Sequence, residues 1–335
     1  MMKTTRDHVT TICVGHRITH ACLMMGLAIG LSIAAIRVSA QTAQTFTSAD
    51  DAVKGLVAAA RAHDRAALDR ILAPEAQRLR STDPVEENKE LASFLTRADQ
   101  KTELTKINDS QYSVEFGNDG WSFPVPIVKR SDRWAFDTTQ GVDELLLRRV
   151  GRNELDTIRV CATYAVAQWD YFLDGDWNND GVQEFAQKLI SSPGQKDGLY
   201  WPNAEGEDAS PLGPLVAYAH HEGYQGNRDA AGNIKATPFH GYYLKVLMAQ
   251  GPSAPGGAHS YLVNGRMLSG FALVAYPAVY GSSGVMTFIV GEQGKVYQKN
   301  LGPNSEKIAQ AMTVYDPDGS WEQVAIESAL ADGNK

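Results

Sequence analysis

The chain has 335 residues, 43% of them hydrophobic, with 31 Lys+Arg against 39 Asp+Glu and a net charge of −8. That length and apolar content suffice for one or two domains with real cores, while an acidic balance without a basic, aromatic-interleaved stripe argues against nucleic acid as a partner. Three cysteines are too few for a disulfide framework, so stability must come from packing.

Lys3, Arg6 and Arg17 precede an apolar run over residues 21–36, and Val38-Ser39-Ala40 follows with the small side chains that a signal peptidase reads. Residues 1–40 are therefore read as a secretory signal peptide cleaved after Ala40, which makes the mature chain periplasmic or secreted. The uncharged run is shorter than the roughly 20 residues of a membrane span and Arg37 ends it, so no stable span is expected after cleavage. Four basic residues and one acidic one leave with the signal, so the mature chain carries 27 Lys+Arg against 38 Asp+Glu, a net charge of −11. Cys13 and Cys22 leave as well. The remaining Cys161 has apolar neighbours and is read as a buried small hydrophobe.

Ser48 with Asp51 three residues on marks a helix start, and Val53, Leu56, Val57 and Ala60 share one face until His63-Asp64 breaks the pattern. A second helix is predicted over residues 65–72, stopping before Pro74. Asp83-Pro84 with Glu86 and Glu87 opens a third, with proline at its first position. From Glu103 the period changes to two. Strands are predicted at residues 104–107, 112–116, 121–128 and 134–136, with Pro124 and Pro126 confining the third to an edge or a bulge. Helices followed by an antiparallel sheet make residues 41–140 an N-terminal α+β domain.

The longest helical region covers residues 141–172, where Leu155, Ile158, Ala162, Ala165, Trp169 and Phe172 form a stripe suited to a core. A brief helix is predicted at residues 184–190, then loops rich in Gly and Pro, then strands at 240–249, 270–276, 285–290 and 295–299. Residues 141–335 thus read as a second α+β domain, a long helix plus an antiparallel sheet.

The sharpest chemical signal is Asp174-Gly175-Asp176-Trp177-Asn178-Asn179-Asp180-Gly181-Val182-Gln183-Glu184. Oxygen-bearing side chains at alternate positions can aim several hard ligands at one point, and glycine permits the bend, so Asp174, Asp176, Asn178, Asp180 and Glu184 are a candidate calcium site. With Asp176 as position one, position twelve is Gln187 where an EF-hand has a bidentate Glu, so this is not an EF-hand. The competing reading is a solvated turn.

His220-His221-Glu222 evokes a zinc protease, but the residue four beyond His221 is Gln225, so the helical His pair fails; His240 and His259 could still converge with His221 in space. Tyr200 and Trp201 sit in a loop where aromatics either bind a ligand or pack the loop down. No catalytic triad, P-loop or dinucleotide fingerprint occurs, and Gly281-Ser282-Ser283-Gly284 lacks nucleophile-elbow spacing.

Arg148-Arg149-Val150-Gly151-Arg152-Asn153-Glu154, Asp197-Gly198-Leu199-Tyr200-Trp201-Pro202, Pro238-Phe239-His240-Gly241-Tyr242-Tyr243 and Gly270-Phe271-Ala272-Leu273-Val274-Ala275-Tyr276-Pro277 resemble the bacterial exported family known as domain-of-unknown-function family 2950. The likeness covers nearly all of the mature chain and implies export without an assigned activity. In its order of elements the second half is similar to the globular part of type II secretion pseudopilins, without their exposed hydrophobic spine, and the first half is similar to cone-shaped nuclear-transport-factor-two-like folds. The favoured expectation is a noncatalytic binding or envelope-assembly protein, with an envelope or extracellular ligand as partner and calcium as its candidate ion. The alternative is a periplasmic hydrolase using His220, His221 and Glu222.

Overall fold

The computed structural model describes residues 42–177, 180–202, 209–222, 224 and 237–325. The predicted signal peptide lies outside them, as does Asn178. From residue 42 onward the described residues fall in one compact unit with two hydrophobic cores.

Three helices open the chain: α1 (Ala49–Arg61), α2 (Arg65–Ile71) and α3 (Pro84–Gln100). Each begins where a side chain can cap it. The Ser48 hydroxyl accepts from the Asp51 amide at 3.0 Å, Asp64 accepts from Ala67 at 2.9 Å, and Asp83 accepts from Val85 and Glu86 at 3.0 and 3.2 Å. The sheet that follows is antiparallel in the order β1 (Thr102–Asn108), β2 (Gln111–Phe116), β3 (Trp121–Arg130) and β4 (Arg133–Phe136). Pro124 and Pro126 lie in an interior strand, where the pairing with β2 slips between Tyr112 and Val114. The bulge removes the ladder positions that proline could not fill. Ala52, Val53 and Leu56 of α1 meet Val114, Phe116 and Ile127 of the sheet in the first core.

Helix α4 (Val142–Asp174) then runs for 33 residues, about 50 Å at 1.5 Å per residue. Its buried face departs from the expected stripe. Ile158 and Ala165 are buried, but Trp169 is 39% exposed, and the deepest positions include Thr157, Cys161, Tyr164, Gln168 and Tyr171. Polar residues can lie there because they are bonded: Gln168 donates to the Ala186 carbonyl at 2.8 Å and accepts from the Ala186 amide at 2.9 Å. Cys161 is fully buried, and burial pushes its thiol up to about 12.

Those two bonds also explain why the brief helix expected at residues 184–190 is absent. Phe185 donates to the Met267 carbonyl at 2.8 Å and Ile190 bridges Tyr200, so the segment lies extended across its neighbours. A helix that sequence patterning missed, α5 (Gly213–His221), follows; it rests on the second core through Leu215 and Val216, both only partly buried.

The second sheet carries the core strands β5 (Tyr242–Leu247), β10 (Ala272–Pro277), β11 (Thr287–Gly291) and β12 (Val296–Lys299) in the antiparallel order β12-β11-β10-β5, extended at the β12 edge by β13 (Glu322–Gln323). Between β5 and β10 lie two short ladders, β6 (Ala249–Gln250) with β7 (His259–Ser260) and β8 (Leu262–Val263) with β9 (Arg266–Met267). Every residue of β10 and β11 is buried, with α4 on these strands and α6 (Ser305–Ala311) on β10. Lys245 holds the end of α6 by donating to Gln310 and Met312 carbonyls at 2.6 Å, where a cation complements the helix dipole. The molecule is α+β, with antiparallel sheets and segregated helices.

Candidate functional site

The predicted acidic loop does gather charges, but around an arginine. Asp176 accepts from the amides of Asp180 (3.0 Å) and Gly181, and Asp180 accepts from Val182 at 3.1 Å. Arg266 of β9 then reaches Asp180 at 2.6 Å, Glu184 at 3.1 Å and the Val182 carbonyl at 3.0 Å. Asp174 is exposed at the end of α4. Among the described residues no group of three or more His, Cys, Asp or Glu could hold a metal ion.

The loop aromatics go inward. Trp201 is 3% exposed and packs against Trp177 at 4.9 Å between centroids, with the Lys196 ammonium 5.3 Å from its ring centroid; Tyr200 is half-buried. The histidines separate. His220 and His221 are exposed on α5, and His259 lies on β7 with its ring nitrogens 3.1 Å from the Gly257 and Ser269 carbonyls. Glu222 and His240 are the pair that the fold brings together.

His240 stands just before β5 with φ 49°, an uncommon left-handed conformation for a residue other than glycine, and is 3% exposed. Its Nε2 lies 3.5 Å from Glu222 Oε2, and its Nδ1 lies 3.6 Å from Asp156 Oδ2 on α4. Glu222 is in turn bonded by Tyr218 at 2.7 Å and paired with Lys89 of α3. Burial drives the imidazole below its ordinary pKa, against the pull of Asp156 and Glu222. For Glu222, burial pushes the carboxyl up, but the bonds from Lys89 and Tyr218 with the charges of Lys89 and His240 leave it below its ordinary value.

Asp83 ties this cluster to the start of α3. One of its oxygens caps the helix, and the other accepts from the Tyr224 hydroxyl at 2.7 Å and the Gly241 amide at 3.3 Å. Gly241 has φ +73°, and a Cβ there would come within 2.7 Å of Asn153 on α4, so only glycine fits. Five buried side-chain atoms lack a hydrogen-bond partner among the described residues, and three of them, Asn153 Oδ1, Glu222 Oε2 and His240 Nδ1, belong to this junction. Orphaned polar atoms are costly to bury, so their clustering marks the region as something other than plain packing.

Beside the junction lies a cavity of about 490 Å³ that runs beneath α3, with Lys89 and Asp156 lining its near end. Its walls are apolar along Leu56, Leu79, Leu91, Phe94, Phe123 and Leu145. Helix α3 spans it as a loose roof: among its 17 residues only Glu86 is buried, and Leu91 and Phe94 are half-buried. Charges bridge α3 to α4. The Arg149 guanidinium meets Glu90 through Nε at 3.2 Å and Nη2 at 2.7 Å and also donates to the Leu79 carbonyl at 2.7 Å, while Arg152 pairs with the same Glu90. Burial and the neighbouring Glu90 raise the Glu86 carboxyl above its ordinary pKa.

This site was not singled out from the sequence, although signals existed. Glu86 and Glu90 are four apart on α3, and Arg148, Arg149, Arg152 and Asp156 share neighbouring turns of α4, a facing pattern of opposite charge.

No helix among the described residues is long and apolar enough to cross a membrane. No curated protein and no solved structure matches the chain, so the pseudopilin and cone-fold likenesses rest on element order alone. A family model described as a protein of unknown function, DUF2950, matches residues 43–324, nearly the whole chain after the predicted signal, and the chain belongs to that family.

Proposed function

We propose that the protein is an exported, noncatalytic binding protein whose ligand occupies the cavity under α3. The observation that carries this reading is a cavity of about 490 Å³ with apolar walls and charged ends, beneath a helix whose apolar side chains Leu91 and Phe94 are only half-buried. Ligand sites have this combination of apolar surface and few convergent polar groups. The signal-like segment before Gln41 supports export, to the periplasm or beyond.

The hydrolase reading draws on the meeting of Glu222 with His240. It needs a nucleophile or a metal opposite an imidazole nitrogen, whereas both ring nitrogens here face carboxylates and the ring is 3% exposed. The binding reading is therefore preferred.

Two measurements test it. The neutral fluorophore N-phenyl-1-naphthylamine should bind the purified mature chain saturably and one to one, and Leu91→Trp, which fills the cavity, should weaken that binding at least tenfold. Binding that is unsaturable, or indifferent to the substitution, would sink the proposal. N-terminal sequencing of protein recovered outside the cytoplasm of a bacterial host should begin at Gln41; protein retained inside with residues 1–40 attached would remove the export part.

A further inference from the structure

We propose, resting on the binding reading above, that the ligand is a single-chain amphiphile with an anionic head group, its tail along α3 and its head beside Trp121 between Arg97 and Arg148. The two ends of the cavity differ in charge. At the end nearer His240, Arg149 and Arg152 are matched by Glu86 and Glu90, which line the same cavity. At the other end, Arg97 and Arg148 both lie over the Trp121 ring, 5.8 and 5.7 Å from its centroid. Their carboxylate partners, Asp119 and Glu144, are 56% and 50% exposed and do not line the cavity.

The guanidinium donors leave room for a further acceptor. Arg97 donates through Nε to Asp119 at 3.2 Å and through Nη1 to Ser93 at 2.5 Å; Arg148 donates through Nε to Glu144 at 2.8 Å and through Nη1 to the Ser122 carbonyl at 3.0 Å. Neither Nη2 makes a hydrogen bond among the described residues. Two like charges held at one indole are eased by an anion, and a guanidinium edge matches the spacing of a carboxylate or phosphate. The lining as a whole carries six cationic side chains against four carboxylates, and Asp119 and Glu144 just outside it bring the balance to even. What favours an anion at Trp121 is therefore placement, two guanidinium groups inside the cavity with their carboxylates outside it.

Length sets the tail. Glu86 and Arg97 both line the cavity, eleven positions apart on α3, or about 16 Å along the helix axis. Leu91 and Phe94 lie between them, with Leu79 and Leu145 also on the walls. An extended dodecyl chain is of that length.

The test displaces N-phenyl-1-naphthylamine from the mature chain with dodecanoate, dodecanol and dodecyltrimethylammonium, each below its micelle concentration. Dodecanoate should displace the probe at a concentration at least tenfold lower than either of the others. Arg97→Gln with Arg148→Gln should abolish that preference when each amphiphile is scored against the probe affinity measured anew for the variant, with circular dichroism confirming the fold. Equal displacement by dodecanol, or an undiminished preference in the double variant, overturns the head-group assignment while the binding reading stands. A probe that never binds saturably removes both. Should the double variant fail to fold, the head-group series on the unaltered chain decides alone.

Discussion

The two ends of α4 meet their neighbours by different means. Towards its C-terminus the helix lies on β10 and β11, where every strand residue is buried and even Gln168 has its amide fully bonded. Towards its N-terminus it faces α3 across Arg149, Arg152 and Glu90, and a volume of about 490 Å³ is left open under α3. The cavity at α3 is partly open to solvent, so at this end the helix is held by charges at the surface and not by a close-packed interior. One end of the rod is a core and the other is a frame.

The strongest way to sharpen that contrast is to truncate one phenylalanine at each end. Phe288 in β11 is 0% exposed, so Phe288→Ala should cost about 3–5 kcal/mol through lost burial and a new void. Phe94 already borders open space, and its main ring contact is edge-on to Phe116 at 4.9 Å, so Phe94→Ala should cost only about 1 kcal/mol. Urea unfolding of both variants measures this; equal losses would erase the distinction between core and frame.

Next in size is Asp83→Ala. It removes the α3 cap and leaves the Tyr224 hydroxyl and Gly241 amide without their acceptor, for an expected loss of about 2–3 kcal/mol. Asp83→Asn keeps a capping oxygen and should lose less than half of that. If both variants unfold with the parent, the junction does not hold α3.

The smallest effect is in pH. The unfolded imidazole of His240 takes up a proton near its ordinary pKa of 6.5, whereas the folded ring, held low by burial, resists it. The unfolded state therefore binds more protons in this window, and stability declines as pH falls from 7 towards 5, by at most about 1.4 kcal/mol per unit. Asp156, Glu222, Lys89 and Asp83 all act on the ring. The lowered Glu222 carboxyl adds a further loss at more acid pH, and the raised Glu86 carboxyl acts in the opposite sense. His240→Asn, which tolerates the left-handed backbone, should flatten the melting temperature between pH 7 and 5. An unchanged slope would show that His240 is not the titrating group.

The parts of the fold that depend on local chemistry were legible from residues alone. Ser48, Asp64 and Asp83 announce their helices because capping needs nothing beyond the next turn. The four strands of each half follow from alternation, and the Pro124 and Pro126 positions correctly demand an irregular pairing. Long-range satisfaction was not legible. Nothing within residues 184–190 announces that Gln168 and Met267 will hold them extended, and an acidic loop reads the same whether its charges meet a cation or Arg266. The cavity was hidden for a related reason: Glu86 and Glu90 occupy inward positions on α3, which an apolar-stripe reading passes over as solvent-facing. Of the histidines, His240 was marked by its neighbours in sequence, but its pairing with Glu222 depends on the turn at Gly241.

Cys161 lies against the second sheet with no access to solvent, and it is the one cysteine outside the signal-like residues 1–40. Cleaved after Ala40 as proposed, the polypeptide would hold a single, sequestered thiol, with no wrong disulfide to form within the chain and none to repair. Its maturation should proceed alike in oxidising and reducing surroundings, and any cysteine introduced at the surface would react with a label alone, which gives a clean background for spectroscopic reporters at either end of α4.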